Sequence, residues 1–354
     1  MSYGFNRNFK IGGQNIGFGC PTYIIAEIGS NHNQNIQQAK AMIEAAKEAG
    51  ADAVKFQSLR YDKVHIPEKY SEDYKKFFAQ IEFDEAWHSE LSNYCNLLNI
   101  HFFSSVTYLE SVDLLQQVDA PVIKIASAQF DIFPEIIERA AKTGKPLIMS
   151  SGLTDLGGVE RMLRLVSACE NQNIVLLHCV TEYPTRAERV NLRLIQTYQQ
   201  AFGCLVGYSD HTMGIHIPSA AVALGASVIE KHMTLDRNMP GPDHHYAILP
   251  DEFAKMVESI RETEKALGDG VKPALNAQEQ KQRELFLYKW MAVEDLSQGE
   301  LIDVSKLVPR RVPGGIPMDA TEHMKKHQLA HRVEKGRVIE WSDLEYVDEE
   351  MPCN

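Results

Sequence analysis

From Thr22 onward, short apolar runs rich in Val and Ile alternate with longer stretches in which apolar positions recur every three or four residues. Runs apolar on both faces suit strands of a parallel sheet, and the longer periodic stretches suit crossover helices. The strand candidates are TYIIAEIG (22–29), AVKFQS (53–58), IHFFSSV (100–106), PVIKIAS (121–127), PLIMSS (146–151), NIVLLHCV (173–180), CLVGYSD (204–210) and SVIEKHM (227–233). Between them lie amphipathic segments such as IQQAKAMIEAAKEAG, FPEIIERAAKTG and DEFAKMVESIRETEKALG, each closing on a Gly suited to a left-handed C-cap. Eight strand and helix units over roughly 250 residues predict an α/β fold, a (β/α)₈ barrel over residues 1–268. A doubly wound open sheet is the alternative, but no GxGxxG follows the first strand. The segment GGQNIGFG instead reads as a hairpin before the barrel that plugs its bottom.

After Gly268 the pattern changes. DGVKPALNAQEQKQRE is polar, shows no clear strand and contains turn-prone pairs, so residues 269–284 read as a linker. From 285 to 354, short β-like runs punctuated by turns (LFLYKWMAVEDLSQGELI, LVPRRVPGGIP, HRVEKGRVIEWSDLE) predict a compact module whose core is small enough to need a larger packing partner.

Composition narrows the partners. A chain of 354 residues with 44% hydrophobic and 24% charged residues can bury a sizeable core, and a net charge of -12 disfavours nonspecific binding to nucleic acid. The six cysteines form neither a CxxC nor a disulfide-scaffold spacing, MSYGFNRNFKIGGQ lacks a signal-peptide pattern, and no apolar run approaches a membrane span. These features predict a cytoplasmic protein with reduced thiols that neither binds nucleic acid nor enters a membrane.

In a barrel the C-terminal ends of the strands face the active site, so polar residues that end apolar strands are the informative ones. They are Glu27 with Asn31 and His32 after strand one, Lys55 and Gln57, Ser104 and Ser105, Lys124 and Ser127, Ser150 and Ser151, Thr181 and Tyr183, Ser209 with Asp210 and His211, and Glu230 with Lys231 and His232. A strand lysine taken singly is as readily a salt-bridge partner as a ligand. Lys55 and Lys124 converging with Ser127, Ser150 and Ser209 on one mouth suit an anion of the phosphoenolpyruvate type. His211 and His232 end adjacent strands and can share one ion, with open positions for water and substrate; that favours a labile Mn²⁺ or Mg²⁺ over structural zinc. Two histidines hydrogen-bonded in a polar loop are the bland alternative, and for His244 and His245 in GPDHH it stands equal to a substrate-orienting role.

Taken in order, AEIGSNHN, VKFQS, KIAS, SSG, LHCVTEYP, GYSDHT, EKHMTLD, PGPDH and RRVPGGI resemble the N-acetylneuraminate (sialic acid) synthase family over nearly the whole chain. The resemblance implies a barrel followed by a small antifreeze-like (SAF) domain, in a domain-swapped homodimer. It further implies that Lys55, Lys124, Ser127, Ser150, Tyr183 and Ser209 hold phosphoenolpyruvate, and that His211 and His232 hold Mn²⁺ or Mg²⁺. Glu27, Gln57 and Asp243 match positions beside the substrate, Glu27 as a proton carrier, and Arg311 matches the arginine that reaches the partner subunit's barrel to contact the sugar's acyl group.

Three positions depart from the family pattern. Gln129 stands where an acid is frequent, Thr181 where some members have Asn, and Tyr288 where a phosphate-contacting Lys often begins the small domain. Gln129 can hydrogen-bond a sugar hydroxyl but cannot act as a base. The implied reaction condenses phosphoenolpyruvate with an N-acylated hexosamine such as N-acetylmannosamine, and water, to a nine-carbon 2-keto acid and phosphate. Synthases of legionaminic or pseudaminic acid, or enzymes using a 6-phosphorylated hexosamine, are close alternatives. A non-catalytic carbohydrate-binding paralogue and a Schiff-base aldolase acting through Lys124 are the distant ones.

Overall fold

The computed structural model describes residues 3–347, so the last residues of the expected C-terminal module, 348–354, lie outside the described residues. Two compact units are present, Met1–Asp269 and Gly270–Asn354.

The first unit is a closed barrel of eight parallel strands: β3 (Tyr23–Gly29), β4 (Ala53–Ser58), β5 (His101–Val106), β6 (Ile123–Ile125), β7 (Leu147–Ser150), β8 (Ile174–Cys179), β9 (Leu205–Asp210) and β10 (Val228–His232), with β10 pairing back onto β3. All eight expected strands form, most within a residue or two of the expected bounds. Nearly every strand residue is buried because the outer face meets helices and the inner face fills the barrel, which is why the strands read as continuous apolar runs. The helix Ile36–Glu48 shows how the pattern is used. Ala39, Met42, Ile43 and Ala46 form one buried stripe, and the Asn35 side chain accepts from the amides of Gln37 and Gln38 at its N-terminus. Gly50, at φ +87°, turns the chain out of that helix toward β4.

Ahead of the barrel, β1 (Asn8–Ile11) and β2 (Gln14–Gly17) form the expected antiparallel hairpin. It covers the N-terminal end of the barrel. The Gly12 carbonyl lies 3.2 Å from Nε2 of His101 at the start of β5, and Gln14 Nε2 donates to Asp52, just before β4, at 2.9 Å. Ile11 and Ile16 are fully buried in the barrel core.

The second unit contains two small antiparallel ladders, β11 (Lys289–Ala292) with β12 (Leu307–Arg310) and β13 (His327–Leu329) with β14 (Leu344–Tyr346). They surround their own core of Trp290, Ile302, Leu307, Ile316, Leu329 and Ile339. The expected linker 269–284 forms no strand; it carries most of a helix, Ala277–Phe286, and from Gly270 onward it clusters with the second unit. Asn276 accepts from the amides of Gln278 and Glu279 while Glu279 accepts from the amide of Asn276, a capping box that nucleates a polar helix without an apolar stripe. No helix among the described residues is long and apolar enough to cross a membrane.

Because Ile16 is enclosed at the end of the barrel opposite the strand C-termini, Ile16→Ala should lower unfolding free energy by ~2–5 kcal/mol in denaturant titration. A loss under about 1 kcal/mol would show that the hairpin is not part of the barrel core.

Candidate active site

At the C-terminal ends of the strands a cavity of about 200 Å³ is lined by Glu27, Lys55, Gln57, Lys124, Ser127, Gln129, Ser150, Thr181, Tyr183, Ser209, His211 and His232 among others. The expected lysines, hydroxyls and histidine pair therefore converge, whereas Asn31, His32, Ser104, Ser151, Asp210 and Lys231 do not line the cavity. Strand alternation explains it: Lys55 and Gln57, and Glu230 and His232, are pairs two apart on one strand face, so both members point inward. Their neighbours Asp210 and Lys231 point the other way, where they form a buried ion pair at 2.6 Å that also ties Lys231 to the Thr212 carbonyl.

The organising residue is one not assigned a role from sequence, Glu230. Its Oε1 accepts from Lys55 Nζ at 3.0 Å, Ser209 Oγ at 3.1 Å and Lys124 Nζ at 3.5 Å. Lys55 also lies 3.3 Å from Glu27 Oε1, which accepts from Gln57 Nε2 at 2.8 Å, and Lys124 donates to Ser150 Oγ at 2.8 Å. The salt-bridge reading of the two lysines and their place in the pocket are thus both correct. The other oxygens, Glu27 Oε2 and Glu230 Oε2, are buried and have no hydrogen-bond partner among the described residues.

Charge separates the four groups. For Glu230, burial favours the neutral acid, but Lys124 and Lys55 outweigh it and hold the carboxyl down to about 2. Burial wins at Glu27 and, against the pull of Lys55, pushes it up to about 7. For Lys55, burial opposes the charge but Glu230 and Glu27 hold its pKa above the usual lysine range. Lys124 is brought down to about 8 by burial, in spite of Glu230.

On the other side of the pocket the rings of His211 and His232 lie 5.4 Å apart. His211 Nδ1–H donates to the Val180 carbonyl at 2.7 Å, and the same imidazole is hydrogen-bonded to the Cys179 side chain. His232 lies near Tyr246, whose hydroxyl is 3.4 Å from Nδ1 and donates to Asp243 Oδ1 at 2.8 Å. Asp243 also accepts from Ser30 at 3.3 Å. Among the described residues no group of three or more His, Cys, Asp or Glu is arranged to hold a metal, so an ion on these two imidazoles would take its other ligands from water and substrate.

Two further histidines have structural roles. His244 is buried, with Nδ1 2.7 Å from Thr234 Oγ1 and Nε2 3.1 Å from Asn33 Oδ1, so it braces a loop. His32 is enclosed by Phe56, Phe83 and Trp87. Arg311 belongs to the second unit, where its guanidinium lies over the rings of Phe286 and Tyr288 at 5.0 and 4.9 Å. Tyr288 thus serves as a platform for Arg311 where a lysine was the family expectation. Cys179, the register partner of Ser209, also lines the pocket, with Sγ 3.6 Å from Ser127 Oγ. Parity with Thr181 along the same chain direction is the signal that would have singled it out.

A closed (β/α)₈ barrel whose mouth gathers two ammonium groups, several hydroxyls and a pair of imidazoles has the make-up of an enzyme's active site. The model of the NeuB family matches residues 42–272. The chain is 40% identical to the N,N'-diacetyllegionaminic acid synthase of Campylobacter jejuni over 83% of its own length and 92% of that protein's, and 37% identical to human N-acetylneuraminate-9-phosphate synthase over 75% of each. Its fold matches the crystal structure of the N-acetylneuraminic acid (sialic acid) synthetase of Leptospira borgpetersenii in complex with citrate, with a TM-score of 0.71 and 33% identity, covering 78% of this chain and 95% of that one. The chain belongs to the NeuB family and is a synthase of the N-acetylneuraminate synthase type.

Removing Glu230 leaves two buried ammonium groups sharing only Glu27. Glu230→Ala should therefore cost ~3–5 kcal/mol in unfolding free energy, and Glu230→Gln less. Equal, small losses for both variants would show that the carboxylate does not hold the cluster together.

Proposed function

We propose that this enzyme condenses phosphoenolpyruvate with an N-acylated hexosamine of the N-acetylmannosamine type, and water, to give a nine-carbon 2-keto sugar acid and phosphate. The observation that carries the reading is the pair of buried lysines, Lys55 and Lys124, held side by side by Glu230 at the floor of a polar cavity. Their charges match the carboxylate and phosphate of phosphoenolpyruvate, with Ser127, Ser150, Ser209 and Tyr183 as further donors. Preorganised cations at a buried mouth stabilise negative charge that develops there.

In the proposed reaction a bond forms between C3 of phosphoenolpyruvate and the aldehyde carbon of the open-chain sugar. Water adds its oxygen at C2, the bond between C2 and the phosphate oxygen breaks, and the water's oxygen remains as the keto oxygen. Of the water's two hydrogens, one ends on the new hydroxyl and one on the released phosphate. Glu27, held by Gln57 and with Oε2 lacking a partner among the described residues, would carry the proton between them. A divalent ion, Mn²⁺ or Mg²⁺, held by His211 and His232 would supply Lewis acidity toward the aldehyde oxygen.

The family resemblance supports reading the second unit as an antifreeze-like domain whose Arg311 acts on the partner's barrel in a homodimer. The described cysteines, Cys20, Cys95, Cys169, Cys179 and Cys204, are all free, which supports a reducing, cytoplasmic setting; Cys353 lies outside the described residues. The depressed Lys124 favours one rival, a Schiff-base aldolase, because a less basic amine is the better nucleophile at neutral pH.

The deciding experiment follows phosphate release from phosphoenolpyruvate with N-acetylmannosamine, diacetamido hexoses and their 6-phosphates, with Mn²⁺ or Mg²⁺ and with chelator. Metal-dependent release with one class of sugar is expected. No release, together with borohydride trapping of pyruvate on Lys124, would transfer the site to the aldolase. For the dimer, mixing inactive Arg311→Ala and Lys55→Ala proteins should restore activity, approaching a quarter of the wild-type level on random pairing; absence of any recovery would place Arg311's action within one chain.

A further inference from the structure

Asp210 closes β9 and Lys231 stands next to last in β10, each immediately before one of the two pocket histidines, His211 and His232. The two are register partners on adjacent strands, and alternation turns Lys231 to the outer face of the barrel where His232 points inward. Their ion pair, at 2.6 Å, is almost completely buried.

The pair reaches the histidines through the backbone. Asp210 Oδ1 accepts from the Thr212 amide at 2.9 Å and from the Tyr208 hydroxyl at 3.0 Å, and Lys231 Nζ donates to the Thr212 carbonyl. One ion pair thus holds both backbone polar groups of Thr212, and His211 is the single residue between Thr212 and Asp210. The His211 carbonyl in turn accepts from the Thr185 amide at 2.8 Å. His232 is bracketed in the same way. Lys231 precedes it, its carbonyl accepts from the Ile248 amide at 3.0 Å, and the next amide, Met233, donates to the Glu27 carbonyl at 2.9 Å.

Stability alone gives little reason to keep such a pair. The cost of desolvating two ions offsets most of their attraction, and apolar residues of similar volume often hold such a place as well or better. Val206 and Ile229, on the same strands, fill buried positions in that way. What the ion pair adds is direction: it ties one strand end to the turn after its neighbour.

We propose that Asp210 and Lys231 are positioning residues for a divalent-ion site: from the outer wall of the barrel they set where the His211 and His232 imidazoles stand, and so set the affinity for the ion without touching it. The inference rests on the reading of the two imidazoles as ligands of Mn²⁺ or Mg²⁺ and deepens it. An ion with only two ligands from the protein depends strongly on how well those two are preorganised.

The test measures Mn²⁺ affinity from the electron paramagnetic resonance signal of the free ion, and phosphoenolpyruvate affinity by calorimetry without metal. It compares the wild type, the Asp210→Asn/Lys231→Met double variant, Lys231→Arg and His211→Ala. Removing both charges together leaves no unpaired ion buried, so the double variant is expected to fold. It should bind Mn²⁺ ~10-fold or more weakly while phosphoenolpyruvate affinity stays within about 2-fold, and Lys231→Arg, which keeps the charge and a donor for Thr212, should hold Mn²⁺ within about 3-fold of the wild type. Wild-type Mn²⁺ affinity in the folded double variant, or an equal loss in Lys231→Arg, would overturn the proposal. So would parallel losses of Mn²⁺ and phosphoenolpyruvate binding, which mark a general loosening of the barrel. If the double variant does not fold, Tyr208→Phe, which removes one hydrogen bond from Asp210, decides: Mn²⁺ binding ~3-fold weaker is expected, and unchanged binding overturns the proposal. A His211→Ala protein that binds Mn²⁺ as tightly as the wild type would instead overturn the reading of the imidazoles as ligands, and this inference with it.

Discussion

The constraint on which the site depends is the cost of holding ionised groups out of water. Lys55, Lys124, Glu27 and Glu230 are each almost fully buried, and an isolated charge in such a place would be neutralised or expelled. Sharing Glu230 Oε1 between two ammonium groups and Ser209 keeps both lysines inside the barrel at fixed positions. The same sharing leaves the lysines incompletely neutralised, because two cations draw chiefly on one oxygen while the second carboxyl, Glu27, is pushed toward its neutral form by burial. A floor of this kind has capacity for an anion.

Such a cluster needs a scaffold that cannot relax, and the closed barrel supplies one. Glu27 is the register partner of both Lys55 and His232, and Ser209 pairs with both Cys179 and Glu230, so the backbone ladder itself sets the spacing of the functional groups. Opposite this mouth, the hairpin seals the strand N-termini with Ile11 and Ile16. Polar chemistry and apolar closure are segregated to the two ends of one tube.

Much of this was legible in the chain, for identifiable reasons. Strands buried on both faces advertise themselves as apolar runs, and polar residues interrupting their ends stand out against that background; hence all eight strands and the barrel's convergent residues were placed. What escaped depended on facing and on three-dimensional neighbours. Glu230 and Lys231 are equally conspicuous in VIEKHM, and only parity with His232 separates the inward hub from the outward partner of Asp210. The helix Ala277–Phe286 has no apolar stripe, so only the Asn276 and Glu279 capping pair marked it. For His244 in GPDHH the residue order left a loop role and a substrate-orienting role equally open, and only the structure shows both ring nitrogens occupied by Thr234 and Asn33.

The central claim is that the Glu230-centred lysine pair is the anion site of the enzyme, and calorimetric titration of phosphoenolpyruvate into the wild type and into Lys55→Met and Lys124→Met proteins tests it most directly. The account predicts binding to the wild type and a loss of affinity of ~10-fold or more in each folded variant. Undiminished binding in both variants would contradict it, because phosphoenolpyruvate would then be held somewhere other than the floor of the barrel mouth.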